Sequence, residues 1–294
     1  VDQKQFLANI RKLAKERRIS PQIMLQEIIL DDLIDRTSNS RYKDNLVLKG
    51  GFLIASLIGT DTRSTRDMDT SIVGLPVTEG KMKSVFQEIC DIKLPNDIIN
   101  LSVVKIGEIR NDDEYSGYRI HIRAQLYSTR VDVKIDVSTG DVITERAIQY
   151  GHKMILENRT VPIMAYTVET IIAEKLETII SRAETNTRLK DFYDLYLLNN
   201  QDKEEIRFDV LSKAIQATSA KRETTDQLGT YISVLIALKT SQSLQKLWIA
   251  YQKSNKYAHG IEFAATCDAA IDLVRRSGTV SYTHLRAHET RHDL

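Results

Sequence analysis

Residues 46–69 constrain this chain more than any other stretch. They read Leu46-Val47-Leu48-Lys49-Gly50-Gly51, then an apolar segment over 52–58, then Arg63-Ser64-Thr65-Arg66-Asp67-Met68-Asp69. A short apolar run ending in a glycine pair predicts a strand that feeds a tight turn. Adjacent glycines tolerate positive φ and a close backbone approach, so their N–H groups can converge on an anion. Residues 52–58 predict a short helix, and its N-terminal dipole favours a phosphate at the same place. Asp67 and Asp69, two apart, share one face of an extended segment. Two such carboxylates repel each other unless cations sit between them, and their hard oxygens suit Mg²⁺. Taken singly, the glycine pair is a turn and the Asp-x-Asp a loop. Together they point to metal-dependent phosphoryl or nucleotidyl transfer, a phosphate cradle beside a carboxylate pair.

The rest of the chain sets this segment in a mixed region. Residues 2–36 predict two helices: Phe6, Ile10 and Leu13 recur at helical spacing, and Ser20-Pro21 is a cap followed by proline at the first helical position. The basic run Arg11, Lys12, Lys15, Arg17 and Arg18 reads as a solvated helix face, with contact to a nucleic-acid backbone as the sharper alternative. A strand is expected over 67–73, ended by Pro76. Residues 82–92 predict a helix, while 101–109 and 118–126 alternate as a β-hairpin joined by a polar loop over 110–117. Residues 130–137 (RVDVKIDV) put Asp132, Lys134 and Asp136 on one face and Val131, Val133, Ile135 and Val137 on the other. That strand offers a third carboxylate, able to share a metal and take a proton from an attacking hydroxyl. Asp132 and Asp136 lie about 13 Å apart at strand rise, so only one can meet the Asp67–Asp69 pair. Spacing does not choose between them.

From Thr167 onward the pattern turns helical. Over 168–182, Ile171, Ile172, Leu176, Ile179 and Ile180 form an apolar stripe with Lys175 at its edge. A lysine packed on a core face needs an anionic partner; otherwise it lies along the surface with its ammonium in water. Residues 188–198 (RLKDFYDLYLL) are apolar on nearly every side. Arg188, Lys190, Asp191 and Asp194 therefore ride a helix expected to be buried, where charge is paired or functional. Residues 205–275 carry further amphipathic helices without evident chemistry. Tyr127, Tyr150 and Tyr166 read as packing residues, with stacking on bases as the alternative. The expected organisation is N-terminal helices over 1–40, a mixed core over 41–165, a helical part over 166–278 and a non-native tail over 279–294.

Bulk properties exclude several classes. The 294 residues are 42% hydrophobic and 28% charged, an ordinary globular balance able to bury a core. A net charge of +1 gives no global pull toward nucleic acid, so such binding would need a local patch. Cys90 and Cys267 offer neither zinc spacing nor a disulfide framework, and read as buried thiols in a reducing cytoplasm. No apolar stretch approaches a membrane span and no signal peptide is visible. The chain opens on Val1 without an initiator Met, so Val1 is not expected to be the natural start. At the other end, His284, His288 and His292 stand at i, i+4 and i+8, at face value a metal-binding helix face. That tail resembles a translated sequencing-adapter read-through, so it is set aside from the fold and truncation near Ser277 is expected.

Lys49-Gly50-Gly51, Arg63-x-Thr65-x-Asp67-x-Asp69, Ile135-Asp136-Val137-x-x-Gly140-Asp141, Ala173-Glu174-Lys175-Leu176 and Arg188-x-Lys190-Asp191-x-Tyr193-Asp194-Leu195 follow in one order. This series resembles the AbiEii/AbiGii-type nucleotidyltransferase toxins of bacterial abortive-infection (phage-defence) and type IV toxin–antitoxin systems, over roughly residues 40–200. The resemblance implies an α+β fold: a nucleotidyltransferase core like that of DNA polymerase β, a mixed sheet with flanking helices, and a helical C-terminal half completing the site. It favours Asp136 over Asp132, because Gly140-Asp141 follows Asp136 at the family distance. Phe52 departs from relatives, which commonly carry a small or hydroxyl residue after the glycines.

The roles the resemblance implies are these. Asp67, Asp69 and Asp136 would hold Mg²⁺, two ions, on a nucleoside triphosphate. Gly50, Gly51, Ser64 and Thr65 would bind its phosphates, with Lys49, Arg63, Arg188, Lys190 and Asp194 also at the nucleotide. Asp136 would assist deprotonation of the acceptor hydroxyl, Lys175 would neutralise the leaving pyrophosphate, and Asp191 would orient Lys175 or touch the nucleotide. The implied partners are an RNA acceptor, often the tRNA 3′ end, and a cognate antitoxin or gene-level repressor. Two rival readings are a nucleotidyltransferase acting on Tyr, Ser or Thr of a partner protein, and a non-catalytic nucleotide- or partner-binding module.

Overall fold

The computed structural model describes residues 3–59, 65, 67–95, 98–109, 117–201 and 205–279, and the chain divides into two compact units. The first runs to Asp141 and resumes over 147–166; the second takes 142–146 and everything from Thr167. In the first unit the elements are α1 (Gln3–Glu16), α2 (Pro21–Ser38), β1 (Leu46–Lys49), α3 (Gly50–Ile58), β2 (Asp67–Ile72), α4 (Glu79–Asp91), β3 (Ile99–Ile109), β4 (Gly117–Leu126), β5 (Thr129–Thr139), β6 (Ile148–Lys153) and β7 (Thr160–Ala165). The seven strands form one mixed sheet in the order β3-β4-β5-β2-β1-β7-β6. This is the α+β class that the sequence predicts.

Local chemistry explains the elements that carry the site. Ser20 caps α2 by accepting the Ile23 N–H at 3.2 Å, with Pro21 at the first helical position. The expected hairpin is β3 and β4 in antiparallel register; its loop over 110–116 lies outside the described residues. The 127–128 connection is a tight turn, with Tyr127 at φ 48 and Leu126 paired to Thr129. β2 lies between antiparallel β1 and parallel β5, and β5 is antiparallel to β4. Two strands, β6 and β7, were not anticipated by the sequence pattern.

Helix α2 is buried on most sides, so its charges need partners. Asp31 pairs with His152, and Asp35 with Arg159. Arg36 is fully buried: Nε meets Asp32 at 2.7 Å, and its other nitrogens donate to the carbonyls of Cys90 at 2.9 Å, Ile99 at 2.7 Å and Ile92. One guanidinium thus ties α2 to the end of α4 and the start of β3.

The second unit is helical: α5 (Val168–Arg182), α6 (Leu189–Asn200), α7 (Phe208–Lys221), α8 (Tyr231–Lys239), α9 (Gln242–Ser254) and α10 (Phe263–Ser277). Phe192 and Phe263 pack with ring centroids 5.1 Å apart, and Trp248 stacks on Tyr251 at 5.3 Å. Cys90 and Cys267 are buried, and burial pushes both thiols up to about 12. Among the described residues no helix is long and apolar enough to cross a membrane. Of the tail, only Thr279 is described, and 280–294, with all three of its histidines, lies outside the described residues.

Replacing Arg36 by Met would take the guanidinium from Asp32 and from three carbonyls, two of them at buried hydrogen bonds. The expected loss of unfolding free energy is about 3–5 kcal/mol, read from the urea midpoint. A loss below 1 kcal/mol would mean that the guanidinium network is dispensable.

Candidate active site

Register brings the predicted acids together. β1 places Lys49 opposite Asp69, β5 places Asp136 beside Asp69 and Lys134 beside Asp67, and β4 places Arg119 opposite Asp136. Strand partners share a face of the sheet, so Lys49, Asp69, Asp136 and Arg119 form one row across four strands. The opposite face is apolar: Met68, Val133, Ile135, Val137 and Ile120 are buried. Asp69 and Asp136 stand about 4.8 Å apart at the backbone, the spacing of neighbouring strands. Asp132, four residues earlier, falls before β2 begins, and Arg123 holds it with paired hydrogen bonds of 2.8 and 2.9 Å. Of the two alternatives that spacing left open, Asp136 is the one beside the Asp67–Asp69 strand.

The glycine turn abuts the same row. Gly50 has φ +65, and a Cβ built there would stand 2.1 Å from Asp69 Oδ2. Only glycine relieves both constraints. Lys49 is the N-cap of α3 and gives it no side-chain cap, so the first N–H groups of that helix lack a capping side chain. Its ammonium turns instead to Ser138 Oγ at 2.8 Å and Asp141 Oδ2 at 2.6 Å. Tyr166 donates to the same Asp141 oxygen at 2.8 Å, and Ser138 at 2.7 Å. Burial raises the Asp141 carboxyl, but the Lys49 charge and these three hydrogen bonds more than reverse it and leave it below its ordinary value. Tyr166 is buried, in keeping with packing rather than base stacking.

Downstream, the Thr65 N–H donates to buried Glu27 at 3.2 Å, and Thr65 Oγ1 donates to the Asp67 carbonyl at 3.0 Å. Arg63 and Ser64 lie outside the described residues. Glu27, Ser138 and Arg119 were not singled out by sequence reasoning. The two-residue turn at 127–128 sets Arg119 opposite Asp136, since 126 pairs with 129.

Arg119 grips Asp136 with both ends of its fork, Nε to Oδ1 and Nη2 to Oδ2, each at 2.7 Å. That hydrogen bonding raises the guanidinium further. For Asp67, partial burial raises the carboxyl most; the Asp136 and Asp69 charges add to this and Lys134 and Arg119 oppose it, leaving it above its ordinary value. Among the described residues no three acidic, His or Cys side chains converge closely enough to hold an ion as they stand. The donor set nevertheless suits a hard divalent cation. It has three carboxylates on one face and two of them in register, and Arg119 occupies both oxygens of one of those two.

In the second unit, Lys175 Nζ sits 2.7 Å from both Asp191 Oδ1 and Asp194 Oδ2, and Arg188 Nε lies 2.8 Å from Asp191 Oδ2. Burial raises the Asp191 carboxyl, and the Lys175 and Arg188 charges bring it below its ordinary value. Lys175 is therefore a partnered, buried lysine, while Lys190 is exposed.

A family model described as the nucleotidyl transferase AbiEii toxin of a type IV toxin–antitoxin system matches residues 32–267. The crystal structure of JHP933 from Helicobacter pylori is similar with a TM-score of 0.51 and 15% identity, over 92% of this chain and 99% of that one. At that identity the likeness is one of fold. A second solved structure from H. pylori matches at a TM-score of 0.46 and 16% identity, over 90% of this chain and 99% of its own. No curated protein matches the chain.

Two outcomes follow for the isolated protein. Gly50→Ala should cost more stability than Gly74→Ala. Both positions carry positive φ, worth about 1–2 kcal/mol, but at Gly74 the nearest atom to a new Cβ is Asn45 Nδ2 at 3.5 Å. Equal unfolding midpoints for the two variants would refute the contact with Asp69. For Asp67, a folded-state pKa raised above the unfolded value means that its charge disfavours the fold at neutral pH, a penalty that fades as pH falls through the raised value. Without added metal, Asp67→Asn should melt above the parent at pH 7, with the gap closing as pH drops into the carboxylate range.

Proposed function

Because the chain belongs to the AbiEii nucleotidyl transferase toxins of type IV toxin–antitoxin systems, we propose that the outward row of its first unit transfers a nucleoside monophosphate from a triphosphate to an RNA acceptor, the 3′ end of tRNA. The observation that carries this reading is the register of Asp136 with Asp69, which sets a third carboxylate beside the Asp67–Asp69 strand and next to the Gly50 turn. Asp67, Asp69 and Asp136 would hold Mg²⁺, whose charge neutralises the triphosphate and the developing negative charge at phosphorus. The N–H groups at Gly50 and Gly51, at the start of α3, would take phosphate oxygens. Asp136 would accept the proton of the acceptor hydroxyl; that oxygen bonds to the α-phosphorus, and the bond to pyrophosphate breaks with the pair leaving on pyrophosphate. Arg63, Ser64 and Thr65 belong to the phosphate-binding segment in this reading. The Lys175, Asp191, Asp194, Arg188 and Lys190 set enters it through the family resemblance alone. A cytoplasmic protein restrained by a cognate antitoxin or by repression of its gene completes the proposal.

The test is incubation with each labelled nucleoside triphosphate, Mg²⁺ and total tRNA. Label should move to RNA with one preferred nucleotide, and Asp69→Ala should lower the rate at least about 10²-fold. Labelling by Asp69→Ala at the parental rate would overturn the assignment, and label running with protein would move the acceptor from RNA to a polypeptide.

A further inference from the structure

We propose that Arg119 is a resident counter-ion of Asp136 which a divalent cation must displace, and that the released guanidinium then binds the triphosphate. This rests on the metal-dependent reading above and adds a residue to it.

The geometry carries the exchange. Arg119 takes both Asp136 oxygens at 2.7 Å and leaves only the outer lone pair of each, so an ion on this carboxylate would stand against a guanidinium of like charge, and the two compete for it. A cation drawn to Asp69 and Asp136 together meets two negative charges in adjacent strand positions; the guanidinium pairs with one of them. Exposure makes the exchange feasible: the side chains of Arg119 and Asp136 are 43% and 23% accessible, so water can take up the separated groups. A fully buried pair would resist, because each stranded charge would lack solvation.

The same two strands supply an internal comparison. Arg123 grips Asp132 with the same two-pronged geometry, at 2.8 and 2.9 Å. Yet β2 begins opposite Lys134, so among the described residues no β2 carboxylate stands in register with Asp132. One arginine thus guards an acid in register with a second carboxylate, and its neighbour guards an acid that β2 does not reach. Once off Asp136, Arg119 keeps a planar fork of donors on the outward face, matched to phosphate oxygens. Triphosphate and cation then favour each other's arrival, since each relieves a charge that the other leaves exposed.

The experiment measures Mn²⁺ binding to the full chain without nucleotide, by electron paramagnetic resonance of the free ion. Arg119→Gln should bind Mn²⁺ about tenfold more tightly than the parent, the size of a close-pair coupling, and Arg119→Lys should fall between. Arg123→Gln should match the parent, and in an Asp136→Asn background Arg119→Gln should have no effect. With Ca²⁺ present to withhold chemistry, Arg119→Gln should bind triphosphate several-fold more weakly. Circular dichroism melts establish that each variant is folded. Unchanged or weaker Mn²⁺ binding in Arg119→Gln overturns the exchange while leaving the metal reading intact. A parent that binds no Mn²⁺ even with triphosphate defeats both.

Discussion

Everything at this site depends on two like charges being held one strand apart. Asp69 and Asp136 are register partners on β2 and β5, and no isolated pair of strands would choose that pairing, because like charges directly opposite destabilise a sheet. The pairing is set from the other side. Met68, Ile135 and Val137 are buried on the inner face, and a slip of one residue would turn that apolar set to solvent and the acids inward. Core packing therefore overrules local repulsion, and the outer face inherits the charge. Gly50 belongs to the same constraint, since any side chain at that turn would occupy the space of the Asp69 carboxylate.

Similar chemistry is put to a different use where it is buried. Asp31 and His152 pair in the interior, and Ser56 links His152 Nδ1 at 2.8 Å to the Tyr150 hydroxyl at 2.9 Å. This Ser–His–Asp series has the composition of a nucleophilic centre, but each member is spent on joining α2, α3 and β6. The Lys175 cluster is likewise charge-paired: one ammonium lies between two carboxylates, and a guanidinium stands beside one of them. For such groups removal of one partner strands a charge, so loss of activity alone would not separate a chemical from a structural part.

Strand β5 and its faces were legible because alternation is strict there: RVDVKIDV can present its acids on only one side. The cap at Ser20, the helix after the glycines and the hairpin were legible for similar local reasons. What escaped was whatever depends on non-local pairing or weak pattern. β6 (IQYGHK) carries a glycine and lies at the sheet edge, mostly exposed, so it shows no apolar period. β7 contains Pro162, which argues against a strand unless its N–H needs no partner; Pro162 pairs only toward edge strand β6, and contact with β1 begins at Met164. Arg119 hides for a different reason. The turn that fixes its register is Tyr127-Ser128, without the Asn-Gly or Asp-Gly signature that announces a two-residue hairpin.

The row Lys49, Asp69, Asp136, Arg119 then poses a question of why its two cations behave differently. Both stand next to an acid of the pair, and both carry a fixed positive charge. Lys49 is nearly buried, with 16% of its side chain accessible, and its ammonium is committed to an Asp141 that also holds Ser138 and Tyr166. Withdrawing it would leave the half-buried Asp141 carboxylate short of its main partner, so Lys49 is an anchor for the end of β5. Arg119 has one carboxylate on its fork among the described residues, and 43% of its side chain is accessible to solvent. Burial thus sorts two chemically similar neighbours into a fixed strut and an exchangeable counter-ion, one on each side of the Asp69–Asp136 pair.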